Sequence, residues 1–271
     1  MNSRIVSPVD SFRVPHFARL QILAQLSRLE DMGTCDIAVM GAPFDAGVSY
    51  RPGARFSHVT IRTASQSLCP HCPGLDLEFF ITLQIANAGN VMYSSLNVQE
   101  TVANARDHAQ QLLDSGCRIA AVGDDHTIAL PLLHTITKRY RPIVLPHFDA
   151  NLDTWHACFN AEVTHRAVYR RASEEGLPEP EALCHVGIQG SLYAKSNISD
   201  DQRMEFGSIT VMDVTRPKVD NITAPLRARV GRPSPLHRHQ RPRPYSCTRH
   251  GDSKGWLHHH SGTSRDTSRP D

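Results

Sequence analysis

Three acidic clusters carry the residue types that do chemistry: Gly41-Ala-Pro-Phe-Asp-Ala-Gly47, Val122-Gly-Asp-Asp-His126 and His147-Phe-Asp-Ala-Asn-Leu-Asp153. Each follows an apolar run. Carboxylates mixed with imidazole suit a hard-to-borderline divalent cation such as Mn(II). Alternation along an extended chain would put Asp149, Asn151 and Asp153 on one side. A single cluster of this kind reads as turn and helix-cap chemistry. Three of them, each closing a strand, read as one site assembled from Asp45, Asp124, Asp125, His126, Asp149, Asn151 and Asp153.

The elements that must position these residues follow from the hydrophobic pattern. Residues 36–41, DIAVMG, read as a buried strand, and the glycine-rich stretch 41–62 behind it reads as a long functional loop. Residues 99–114 have helical spacing, stopped by Ser115-Gly116. CRIAAVG is a strand, followed after the polar turn by a helix; PIVLPHF is the next strand. Residues 165–175 read as helix, stopped at Gly176-Leu-Pro178. LCHVGIQG and SITVMDV read as further strands. Strands alternating with helices predict an α/β fold with a mostly parallel sheet covered on both faces. In such sheets ligands bind beyond the carboxyl ends of the strands, where the acidic clusters lie.

The chain has 271 residues, 40% hydrophobic and 21% charged, with a formal net charge of +2. This provides enough material for a sizeable core and no bulk electrostatic case for nucleic acid or membrane. No run is long enough for a membrane span, and the first residues lack a signal core, so a cytoplasmic location is expected. The seven cysteines are scattered and read as reduced thiols. Cys69-Pro-His-Cys72 is a lone CxxC that reads as a proline-rich surface turn. After Val230 the texture changes to Arg, His, Pro and Ser with almost no aliphatic residues, and six of the 16 histidines fall there. Residues 231–271 are expected to be disordered.

Several stretches together resemble the ureohydrolases, the family of arginase and agmatinase, and most closely its agmatinase-like and guanidinobutyrase-like members. GAPFDAGVSYRPGARF resembles the family's G-x-P-x-D-x-G-x-x-x-R-P-G-A-R loop. VGDDHTI resembles GGDH-[ST]-I, and HFDANLD resembles H-x-D-A-H-x-D. VTHRAVYRRASEEGL is similar to H-G-T-x-F-x-R-A-x-E-E-G-L, and HVGIQG to I-G-I-R-G. The resemblance runs from about Pro8 to Val230. It implies an arginase-like three-layer α/β/α fold and two Mn(II) ions whose bridging hydroxide attacks a guanidinium carbon to release urea. It further implies a small linear guanidino substrate (agmatine or guanidinobutyrate), a homo-oligomer and a role in polyamine metabolism. Carried over by position, His126 and Asp153 ligate the first metal, Asp149 bridges both and is catalytic, Asn151 stands at a ligand of the second and at the substrate, and His165 contacts substrate or shuttles a proton.

The pattern is broken in places. Asn151 replaces a histidine, and a neutral amide binds a transition ion more weakly than imidazole. Arg166-Ala167 replaces Gly-Thr, Gln189 replaces an arginine, Asp124 replaces a glycine, and Pro146 lies within a strand. The family's last metal motif, S-x-D-x-D-x-x-D-P, is absent from the sequence. Read one base later, however, codons for HRHQRPRPYSCTRHGDSKGW permit I-D-I-(Asn or Ser)-V-L-D-P-T-H-A-P-G-T-G-T-P, close to that missing segment. A frameshift near Gly231 is therefore expected. It would leave 1–230 as an incomplete, C-terminally truncated ureohydrolase domain and 231–271 as out-of-frame tail. With so many ligands lost, the alternative to an impaired enzyme is a non-catalytic member or subunit of the same family.

Overall fold

The computed structural model describes residues 22–230, except 51, 70, 95–96, 124, 141–142, 190–191, 193–195 and 216–219, together with 248–249. In chain order the elements are α1 (Leu29–Met32), β1 (Ile37–Ala42), α2 (Ser57–Ser65), β2 (His71–Cys72), β3 (Leu77–Glu78), α3 (Phe79–Thr82), β4 (Ile85–Asn90), α4 (Val98–Asp114) and β5 (Arg118–Gly123). They continue with α5 (Ala129–Tyr140), β6 (Leu145–Phe148), α6 (Val168–Glu174), β7 (Leu183–Ile188), α7 (Ser196–Arg203), β8 (Gly207–Thr210), α8 (Val211–Thr215), α9 (Asp220–Val230) and β9 (Thr248–Arg249). The strands form a parallel sheet β4-β1-β5, a second parallel sheet β8-β7-β6-β9 and a short antiparallel hairpin β2-β3. The expected α/β architecture with mainly parallel strands is present.

Helix α4 shows how the sequence builds the first sheet's cover. Asn97 caps it, its side-chain oxygen accepting from Glu100 N at 3.1 Å. Ala105, Ala109 and Leu112 form a buried stripe against Ala38, Met40 and Ala42 of β1, while Leu113 packs into the other apolar cluster. Gly116, at φ +87°, ends the helix as expected. A second apolar cluster joins α5 and α6 to the other sheet through Leu130, Leu133, Leu145, Val168, Tyr169 and Leu183. Ile119 and Leu132 pack against both clusters, so the interior is continuous across the two sheets.

Three expectations shift. The stretch 41–62 is not all loop, because α2 begins at Ser57. SITVMDV is not one strand: β8 stops at Thr210, where Thr210 N donates to Asp213 Oδ2 at 3.0 Å and Asp213 N to Thr210 Oγ1 at 3.4 Å. That reciprocal cap starts α8. The helix expected from residue 165 begins at Val168, after a turn in which Ala167 N donates to Thr164 O.

Pro146 does lie inside β6, and its tolerance has a simple cause. Asp149 N donates to Val186 O at 3.1 Å, so residues 145, 147 and 149 turn their N–H groups toward β7. Residue 146 turns the other way, where β9 pairs only with residues 147 and 148. The missing donor therefore costs no bond to β7. Thr248–Arg249 forms that neighbouring strand. The rest of the tail beyond Val230, like Asp124, lies outside the described residues.

Candidate metal centre

Strands β1, β5 and β6 end on the same side of the molecule, and their trailing residues build the site. His126 follows β5, while His147 and Asp149 lie in and just after β6. The chain does not stay extended to Asp153. It bends at residues 150 and 151, and Asp153 takes φ +53°. A left-handed backbone at a non-glycine residue is sparsely populated and clusters at functional sites. The bend, rather than strand alternation, brings Asp153 back toward Asp149.

The outcome is a compact donor set. His126, His147, Asp149 and Asp153 are all buried, and one ligand atom from each lies within 4.8 Å of the others. His126 Nδ1 is 2.6 Å from Asp153 Oδ2, and its Nε2 is 3.0 Å from the Tyr169 hydroxyl. Asp149 Oδ1 accepts from Asn151 N at 2.8 Å, whereas Asp149 Oδ2 has no hydrogen-bond partner among the described residues. A buried carboxylate oxygen left in that state carries a desolvation cost that a cation removes. Burial alone would push the His126 imidazolium toward neutrality, but Asp153, with Asp149 and Asp125, more than offsets it and raises its pKa. The same carboxylates that favour the imidazolium would favour a bound cation. The donors fit a divalent transition ion, the two carboxylates being hard and the two imidazoles borderline ligands.

The other expected residues sort themselves around this set. Asn151 turns its side-chain Nδ2 toward Asp149 Oδ1 at 3.4 Å. His165 is buried beside the set, and its Nδ1 is 2.5 Å from Gly47 O. A carbonyl only accepts, so that nitrogen carries the proton. Gly47 has no room for a side chain: a Cβ there would stand 2.6 Å from Asp125 Oδ2. Asp125 caps the following turn, accepting from Thr127 N at 2.9 Å, and burial raises its pKa against the pull of those donors and of His165.

Asp45 does not join the set. It is buried, but Gly53 N, Arg55 N and the Arg55 guanidinium occupy its oxygens. His147, His185 and Tyr169 were not singled out in the sequence as site residues. The signal for His147 was its place two residues before Asp149 in the same strand, a spacing that gives both side chains one face. For His185 and Tyr169 no local signal distinguishes them from core.

Beside the set lies a small cleft of about 40 Å³ lined by Asn151, Asp153, Trp155 and Arg166, among others. The Arg166 guanidinium stands 4.8 Å from the Trp155 ring centroid. No helix among the described residues is long and apolar enough to cross a membrane.

Comparison with known proteins places this architecture. The chain is 26% identical over 234 residues to a guanidinobutyrase of Pseudomonas aeruginosa, covering 85% of this chain and 73% of that one. It is 31% identical over 196 residues to the mitochondrial guanidino acid hydrolase of Rattus norvegicus, covering 72% of this chain and 56% of the relative. For the mitochondrial agmatinase of Gallus gallus the identity is 33%, covering 59% and 47%. The chain thus spans from about half to three quarters of the length of these relatives. Among solved structures, proclavaminate amidino hydrolase from Streptomyces clavuligerus superposes with a TM-score of 0.75 at 24% identity, covering 80% of this chain and 72% of that one, which shows the shared fold. The arginase family model matches residues 35–238, and the chain belongs to the arginase family.

Proposed function

We propose that the chain is built as a guanidino hydrolase that cleaves a small linear guanidino compound with water, giving urea and an amine. The observation that carries this reading is the buried set His126, His147, Asp149 and Asp153 opening onto the cleft beside Arg166. His126, Asp149 and Asp153 would hold a divalent ion, Mn(II) by family. Such an ion supplies Lewis acidity and lowers the pKa of a water. The chain's own residues do the rest. His165, with its Nδ1 proton held by Gly47 O, presents Nε2 as the nitrogen that takes and returns a proton.

The far end of the substrate meets a cation. Arg166 lines the same cleft, held over Trp155. A cleft lined by the Arg166 guanidinium fits a guanidino acid such as 4-guanidinobutyrate, whose far end is a carboxylate, better than agmatine, whose far end is an ammonium. Relatives named guanidinobutyrase and guanidino acid hydrolase support this choice. Urea release from 4-guanidinobutyrate and from agmatine, with added Mn(II), tests it. Arg166→Glu is expected to shift the ratio of the two kcat/KM values toward agmatine by at least about tenfold. Equal turnover of both substrates, unmoved by that substitution, sinks the assignment.

A second reading, a non-catalytic member of the family, is favoured by Asn151 and by the absence of S-x-D-x-D-x-x-D-P from the sequence. We propose the frameshift near Gly231 as the source of that absence. Resequencing the coding DNA past codon 231 decides it. An extra or missing base brings back a segment close to the motif, with Asn or Ser at its second aspartate unless a further base differs, and points assays to the corrected gene. A continuous frame in independent isolates removes the frameshift. Absence of urea release from the chain as given, with Mn(II) bound, establishes the non-catalytic reading for this form.

A further inference from the structure

Behind the acidic set runs a buried row of polar groups that the proposed reaction does not use. Ser208 Oγ, on β8, donates to Asp201 Oδ2 at 2.8 Å. Asp201 Oδ1, on α7, faces His185 Nε2 at 3.1 Å. His185 Nδ1, on β7, meets His147 Nδ1, on β6, at 2.7 Å. His147 Nε2 in turn lies 3.6 Å from Asp149 Oδ2. Asp201 is 2% exposed and both imidazoles are 0% exposed. Burying these groups costs free energy, and apolar residues would fill the same space without it.

The row has a direction. His185 Nε2 and Asp201 Oδ1 stand 3.1 Å apart without hydrogen-bond alignment, and a carboxylate so near favours an N–H over a lone pair on the facing nitrogen, so His185 is protonated at Nε2. Neutral His185 therefore has its lone pair at Nδ1 and accepts from His147 Nδ1–H. Neutral His147 is left with its lone pair at Nε2, on the side of Asp149. That lone pair and a carboxylate oxygen face each other at 3.6 Å, beyond hydrogen-bond length. The separation is one that two ligands of a single ion adopt when each binds at about 2.0–2.2 Å. Metal-binding imidazoles commonly have the other nitrogen held in this way by a carboxylate-terminated partner, which sets the tautomer and aims the ring.

We infer that His147 Nε2 is itself a metal ligand in this chain, with His185 and Asp201 as positioning residues that fix its tautomer. The centre is then a single ion held by His126, His147, Asp149 and Asp153. It differs from the two-ion arrangement that the resemblance implies, in which His147 has no part. This inference rests on the reading that an ion occupies the acidic set, and the test separates the two.

The full chain is stripped with chelator and titrated with Mn(II) in equilibrium dialysis, and the loaded protein is examined by pulsed electron paramagnetic resonance for nitrogen couplings. One ion per chain with two coupled imidazole nitrogens is expected, falling to one nitrogen in His147→Gln. Asp201→Asn should weaken Mn(II) binding by about tenfold or more while circular dichroism shows the fold retained. One imidazole nitrogen in the wild-type chain overturns the inference and leaves the ion site standing. Two ions per chain, or two nitrogens persisting in folded His147→Gln, also overturn it. No bound Mn(II) at all overturns both the inference and the ion-centre reading. Should His147→Gln fail to fold, the wild-type nitrogen count alone decides. Unchanged affinity in Asp201→Asn removes the positioning role of the relay.

Discussion

Asp45 and Asp149 invite comparison. Each follows a parallel strand, β1 in one sheet and β6 in the other, and each is buried. Asp45 accepts from Gly53 N at 2.7 Å, Arg55 N at 3.2 Å and Arg55 Nε at 2.6 Å. Burial would raise its pKa, but these donors hold it below the usual 3.8. Among the described residues Asp149 has donors on one oxygen only, both from Asn151, and its second oxygen faces His147. Both sit in motifs of the same family, yet the chain itself completes the coordination of one and leaves the other for a cation. A buried carboxylate with every lone pair served is a structural clip. One with half its lone pairs served, beside another carboxylate and two imidazoles, is a binding site.

The sharpest break of that comparison is a pair of substitutions. Asp45→Ala is expected to cost about 2 kcal/mol of stability, because it deletes a buried carboxylate that accepts from two backbone N–H groups and makes charge-assisted bonds to Arg55. Its effect on Mn(II) affinity should be below about threefold. Asp149→Ala is expected to weaken Mn(II) binding at least about 100-fold while changing ion-free stability by less than about 1 kcal/mol. Urea melts and Mn(II) titrations on both variants check this. If Asp149→Ala destabilises the ion-free chain as much as Asp45→Ala does, the two carboxylates are not different in kind.

Next in size is a repair. Asn151 now donates to Asp149 through its backbone and side-chain nitrogens. Asn151→His exchanges a neutral amide for an imidazole at the edge of the set. Mn(II) affinity should rise at least about tenfold. An unchanged affinity would mean that residue 151 points away from the ion altogether.

How far the sequence discloses all this depends on the range of the interaction. Strand β1 and helix α4 are legible because period and caps lie within one segment: Asn97, the stripe through Leu112, and Gly116. The turn to α8 was legible too, in Thr210-x-x-Asp213, but the β-branched run masked it. Helix α2 escaped because only Ser65 of its nine residues is buried, so it has no apolar stripe to read. Among site residues, His126, Asp149 and Asp153 stand in motifs. His185 sits in an apolar strand, 38 residues from the His147 it contacts, and nothing local separates it from a core histidine. The left-handed backbone at Asp153 is likewise a consequence of tertiary contacts: its carbonyl accepts from Tyr169 N at 3.1 Å.

Acidity should separate the two carboxylate sites as well. Asp45 has a depressed pKa, so its stabilisation is present above 3.8 and is lost as pH falls through the lower folded value. His126 has a raised pKa, so its pairing with Asp153 stabilises the ion-free chain fully below 6.5 and is lost as pH rises through the elevated folded value. A bound ion replaces that proton, so Mn(II) affinity should climb with pH over the same interval. Melting temperatures with and without Mn(II), carried from about pH 2 to pH 9, read the acid limb of Asp45 and the neutral limb of His126. An ion-free stability flat from pH 6 upward contradicts the assignment of His126.

The smallest effect tests how the set is aimed. Tyr169 is fully buried, its ring 4.4 Å from that of His147 and edge-on to those of His126 and His185. Its hydroxyl lies 3.0 Å from His126 Nε2. When His126 is an imidazolium, both nitrogens donate, Nδ1 to Asp153 and Nε2 to Tyr169. Tyr169→Phe keeps the ring packing and deletes only that acceptor, so the ion-free chain should lose about 1 kcal/mol in a urea melt. The loss should shrink above the His126 pKa, where the imidazole no longer needs two acceptors. A larger loss that ignores pH would assign Tyr169 to packing alone and leave Asp153 as the single group that orients His126.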